Sequence, residues 1–137
     1  MTPTIHHRHE DLDIEECWRL LRSTTMGRIA FVHDVVRVLP VSYVVRDEAI
    51  YFRTSPYSTI AGLRRDGAAS FQIDAFADVL QTGWSVLACG HAQPVVDNDL
   101  LRDLWGPGRP EPWADGIRSL FIGFRPEQLT GRRVHPS

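Results

Sequence analysis

The 137-residue chain has no lysine; all 15 of its Lys+Arg residues are arginines. Schiff-base chemistry on a lysine and a P-loop phosphate site are therefore excluded. Codon bias in a GC-rich genome is a sufficient cause, but the chemical consequence stands. Cysteine is scarce as well. Cys17 and Cys89 match no metal-ligand or CxxC spacing, and their apolar settings predict buried free thiols. Net charge is only −2, which leaves no electrostatic footprint for nucleic acid. No apolar run approaches the roughly 20 residues that span a bilayer. The opening MTPTIHHRHEDLD has no apolar signal core. A cytoplasmic protein with no membrane and no nucleic-acid partner is the expectation.

What is present predicts one domain. The composition is 43% hydrophobic and 23% charged, within the globular range. Residues 1–9 are polar and read as a flexible arm, with residues 10–137 as the folded unit. His6, His7 and His9 read as part of that arm and not as a metal site. Asp13 is placed to cap a helix, DIEECWRLLRST, and Glu16 completes a capping-box-like pattern. From Gly27 the apolar period changes to that of strands: GRIAFVHD, VVRVLPVSYVV, IYFRT, AASFQIDAF, GWSVLACGHAQPVV and IRSLFIGFRP. Pro40 predicts a bulge or an unpaired edge, Gly90 predicts a bend, and RDEA predicts a hairpin turn. DNDLLRDLW predicts a second helix capped by Asp97 or Asn98. The class is mainly β: a small β-barrel of about six antiparallel strands with peripheral helices.

The stretch YFRTSPYSTIAGLRRDG, residues 51–67, supports two readings. Ser55-Pro56 fits an N-cap followed by proline at the first helical position, and Gly67 fits the helix end. Arg53 with the hydroxyls of Thr54, Ser55, Ser58 and Thr59 also fits an anion cradle, since a helix start already favours negative charge. The residues alone leave both open.

Around that stretch the order of motifs is LPVSYVV, FRT, a strand ending in Asp74, WSVLACGHA, PWADGIR and LTGRRV. This order resembles the pyridoxamine 5′-phosphate oxidase-like family of FMN-binding split barrels, over roughly Leu12 to Val134. It is most similar to small actinobacterial-type members known only as FMN-binding. The resemblance implies a homodimer with two FMN sites at its interface. It implies that the segment Leu39, Pro40, Val41, Ser42 and Tyr43 runs along the flavin ring, largely through backbone groups. Phe52, Arg53, Thr54, Ser58 and Thr59 would hold the ribityl phosphate. Asp74, Trp84, Ser85, Trp113 and Arg132 would lie close by, in part from the partner subunit. Relatives commonly carry lysine where Thr59 stands, and Arg64 and Arg65 sit at the far end of the expected helix.

The implied activity is an oxidoreductase that exchanges hydride between FMN and a small substrate or NAD(P)H. A non-enzymatic flavin-binding protein, or a dimer with a degenerate cofactor pocket that binds none, is the alternative, and a deazaflavin (F420)-dependent reductase is a further one. True pyridoxine phosphate oxidases carry a C-terminal signature of an acidic-aromatic pair and an Arg-x-His run; Glu111-Pro112-Trp113 is only a superficial echo of it, so that reaction is not expected. Ser85, His91 and Asp74 have no GxSxG elbow around them and do not read as a hydrolase triad. The histidines form no HExxH pair, no metal is expected, and no catalytic acid or base stands out.

Overall fold

The computed structural model describes residues 7–55, 67–106 and 120–136. The chain begins with β1 (His7–Leu12) and α1 (Ile14–Ser23), followed by β2 (Met26–His33), β3 (Val35–Arg46) and β4 (Ala49–Thr54). Then come β5 (Gly67–Ala77), β6 (Thr82–Pro94), α2 (Asn98–Leu104) and β7 (Leu120–Pro136). All pairings are antiparallel, in the order β1-β7-β4-β3-β2-β5-β6. A further β6–β7 ladder closes strands β2 to β7 into a six-stranded barrel. The described helices are too short and polar to cross a membrane.

Local chemistry explains most element boundaries. Asp13 caps α1, its Oδ1 accepting from the Glu16 amide at 2.8 Å. Only that half of the expected capping box forms. The Glu16 carboxylate turns instead to Arg19 (Nε–Oε2 2.8 Å) and to Arg133 on β7 (3.3 Å). The β3–β4 turn is Asp47-Glu48, both with positive φ (47° and 59°), as a two-residue type I′ hairpin requires. Asp97 caps α2, accepting from the Leu100 amide at 2.9 Å.

Period-2 alternation fills the barrel. Ile29, Phe31, Ile50, Phe52, Phe71, Ile73, Val86, Ile122 and Phe124 form one core with Cys17, Trp18, Leu20 and Leu21 of α1. The Tyr43 hydroxyl donates to the Leu21 carbonyl at 2.6 Å and accepts from the Thr24 hydroxyl, so β3 is fastened to the end of α1. On the outer side of β4 and β7 a second cluster, Ala49, Tyr51, Phe121 and Leu104, seats α2.

Four expectations change, and the bulge or edge expected at Pro40 resolves to the edge. Polar residues from His7 onward join β1 by pairing with the end of β7, within the stretch expected to be a loose arm. The last strand and the tail are one 17-residue strand, β7. Near Gly90 the irregularity lies on the neighbour: Cys89 pairs with Gln128 and Gly90 with Pro126, so Glu127 is an extra, bulged residue. A Cβ on Gly90 would stand 2.1 Å from the Arg125 carbonyl oxygen. Cys89 is half-buried and not fully enclosed, because it faces outward beside Ser70, whose hydroxyl lies 3.4 Å from its sulfur. Pro40 makes no bulge. It pairs in register with Arg28, on a stretch of β3 that β4 does not reach, so the missing N–H removes no bond from that edge.

Candidate functional site at the β3–β4 split

The β3–β4 ladder runs only from Arg46↔Ala49 to Tyr43↔Phe52. Beyond that pair the strands part. Among the described residues, Pro40, Val41 and Ser42 have β2 on one side and no strand on the other, while Arg53 and Thr54 pair with Phe121 and Leu120 of β7. The parting leaves a backbone edge along Pro40–Ser42 whose outward-facing polar groups have no ladder partner among those residues, which suits the rim of a flat polar ring. Tyr43 and Phe52, the pair that ends the ladder, are 2% and 0% exposed. Their side chains belong to the core, and the Tyr43 amide donates to Thr25 O at 2.9 Å. They hold the mouth of the split and offer it no side chain. Leu39 and Val41 also turn inward onto the core, while Pro40 is exposed.

Arg53 leaves β4 on its outer side. Its guanidinium carbon lies 4.4 Å from the ring centroid of Trp105 and 6.0 Å from that of Phe121. Trp105 and Phe121 meet edge to face at 4.9 Å. Thr54 is buried at 7% exposure, and Ser55 follows at the strand end. Arg53, Thr54 and Ser55 are thus adjacent in sequence where the strand ends, and a guanidinium with hydroxyls is the donor set that a phosphate monoester requires. Ser58, Thr59 and Trp113 lie outside the described residues.

Asp74, Ser85 and Arg132 come together elsewhere on the wall. Asp74 pairs with Ser85, and Ser85 with Arg132, which in turn pairs with Asp11. The Asp74 carboxylate is already held by Gln72 (2.8 Å) and Arg28 (3.2 Å). Ser85 and Arg132 line an outer groove of about 510 Å³ together with Asp11, Leu87 and Thr130. Trp84 packs against the core. Three strand spacings separate β4 from β5, so Asp74 lies roughly 14 Å along the wall from Arg53. The expected site residues thus form two groups on one chain.

A sequence profile of the pyridoxamine 5′-phosphate oxidase family matches residues 13–133. The chain belongs to this family. Within and around the family, uncharacterized protein Rv0080 of Mycobacterium tuberculosis is 29% identical over 130 residues, covering 90% of this chain and 84% of the relative. The FAD-binding protein of Mycobacterium smegmatis superposes with a TM-score of 0.75 at 26% identity, over 93% of this chain and 98% of its own. An FAD-binding protein of Mesorhizobium loti does so with a TM-score of 0.73 at 25% identity, over 91% and 97%. The split β-barrel of flavin-binding proteins is therefore the fold of this family member too.

Two neighbours of the site escaped the sequence reading. Trp105 is 52 positions from Arg53, and only the packing of α2 on β4 joins them. Arg28 could have been found, since alternation along β2 puts it on the outer face opposite the Gln72–Asp74 side of β5. Among the described residues no group of three or more His, Cys, Asp or Glu is arranged for a metal.

Proposed function

We propose that the protein binds a flavin, FMN, with its phosphate at Arg53 and Thr54 and its ring along the open edge of Pro40, Val41 and Ser42. The single observation that carries this reading is the parting of β3 from β4 just where Arg53, Thr54 and Ser55 end the strand. The two FAD-binding relatives at 25–26% identity support a flavin in general. A bound flavin supplies hydride exchange, here with a small substrate or NAD(P)H. The chain's own part is to hold the phosphate, to hydrogen-bond the ring rim through the β3 backbone, and to keep the site dry.

The reading includes a homodimer. The outer face of β2, β3 and β6 exposes Val32 (64%), Val36 (72%), Val38 (57%) and Leu87 (42%), and Val32 and Val36 border a groove of about 490 Å³. An apolar sheet face of this kind suits a second copy of the chain. Such a copy would bring its Asp74, Ser85 and Arg132 toward the split of the first, uniting groups that lie apart in one chain. The lack of any lysine favours the second reading, a flavin-binding dimer without turnover, because one charge fewer grips the phosphate.

The test is the visible spectrum of the purified protein, followed by titration with FMN, FAD and the deazaflavin F420. A yellow protein that bleaches with NAD(P)H and recovers in air supports the oxidoreductase. A protein that binds flavin but never bleaches with a donor supports the second reading. A protein with no affinity for any of the three overturns both. Sedimentation of Val36→Glu reads the dimer: it should shift to monomer, and a monomeric wild type removes the interface from the proposal.

A further inference from the structure

Trp105 follows directly on Leu104, which is fully buried against Ala49, Tyr51 and Phe121. The same end of α2 is tied to β3 by Asp103 Oδ2, 3.2 Å from Arg46 Nε. The Trp105 amide donates to the Leu101 carbonyl at 2.9 Å, which fixes the backbone from which the indole departs. The ring then rests edge to face on Phe121, itself 1% exposed and the cross-strand partner of Arg53. The indole, itself 39% exposed, is seated on a buried ring, with the Arg53 guanidinium over it at 4.4 Å.

Lying over an aromatic face restricts the rotamers of an arginine, and the cation–π contact itself uses none of the five N–H donors, which lie in the guanidinium plane. In a chain without lysine, the cation that grips a phosphate has to be an arginine.

We infer that Trp105 is a positioning residue: it holds the Arg53 guanidinium at the split so that the chain distinguishes a phosphorylated flavin from an unphosphorylated one. The inference rests on the flavin reading proposed above and adds a residue on α2 that acts only through Arg53. Trp105 need not touch the ligand.

The experiment compares FMN with riboflavin, which differ only in the phosphate, by flavin fluorescence on the full chain. Wild type should prefer FMN. Trp105→Leu keeps an apolar contact on Phe121 but removes the aromatic face; it should lower the FMN preference by roughly five- to tenfold and leave riboflavin affinity unchanged. Trp105→Phe should restore most of the preference. Arg53→Ala with Trp105→Leu should be no worse than Arg53→Ala alone, since the tryptophan acts through the arginine. Thermal unfolding checks that each variant is folded. If the leucine variant does not fold, Trp105→Gln takes its place in the same comparison. A wild type that binds neither ligand, or binds both equally, overturns the phosphate reading and this inference with it. A wild-type preference for FMN that survives in the folded leucine or glutamine variant overturns the inference alone.

Discussion

Two seams of the barrel differ in how far they are zipped. The β6–β7 seam runs over twelve residue pairs, from Gly83↔Val134 to Pro94↔Ile122, with one bulged residue, Glu127, within it. The β3–β4 seam has four pairs and then opens. The long seam consumes its backbone donors and acceptors in the ladder, and the short one keeps a run of them available. A barrel of this size can be held by one complete closure and leave another seam incomplete for binding. Stability and recognition thus fall to different strand pairs, and substitutions should separate them.

The largest effect belongs to the closed seam. Gly90→Ala should cost about 3 kcal/mol or prevent folding, because its Cβ would meet the Arg125 backbone and not a movable side chain. Denaturant unfolding reads this, and a variant as stable as wild type would show that the seam can relax. Next is the open seam. Arg53→Ala should weaken FMN roughly ten- to a hundredfold by removing a charged hydrogen bond, with stability changed by less than about 1 kcal/mol. A loss of stability without a loss of affinity would reverse the division of labour. Tyr43→Phe stands at the junction of the two and should cost about 1–2 kcal/mol, through the lost bonds to Leu21 and Thr24.

The smallest effect lies at α1, away from both seams. Arg19, with help from Arg133, holds the Glu16 carboxyl at about 2 against an ordinary 4.5. A carboxylate depressed in the folded state stabilises fully above its unfolded value and loses that contribution as pH falls through its folded one. Glu16→Gln should therefore be slightly less stable than wild type at pH 7, with the gap narrowing from pH 4.5 and gone near pH 2. Parallel acid titrations of the two proteins measure it, and a gap constant across that range would detach Glu16 from Arg19.

The sequence showed the elements whose rules are local. Asp13, Asp97 and the Asp47-Glu48 turn act within three or four residues, and alternation marked every barrel strand. It also placed Arg53 and Thr54 at a strand end. What it hid depends on contacts across the chain. β1 is polar and has no apolar period, so only the free edge of β7 recruits it. Pro126 makes β7 look finished at the very point where the strand continues. The two-part grouping of Arg53 and Asp74 required strand order, which no spacing in the sequence supplies. Trp105 was legible as the end of the DNDLLRDLW helix pattern, but its contact with Arg53 required the seating of α2.

The bulged Glu127 has an effect on everything downstream of it. Before it, even-numbered residues of β7 enter the core, as Ile122 and Phe124 do; after it, Leu129 and Gly131 take that side. One residue thus flips the parity of the strand. That flip turns Arg132 toward the outer groove and lets Arg133 reach back to Glu16. Deleting Glu127 alone would turn the final stretch of β7 inside out, driving Arg132 into the interior and Leu129 into water, with every other residue of the chain unchanged.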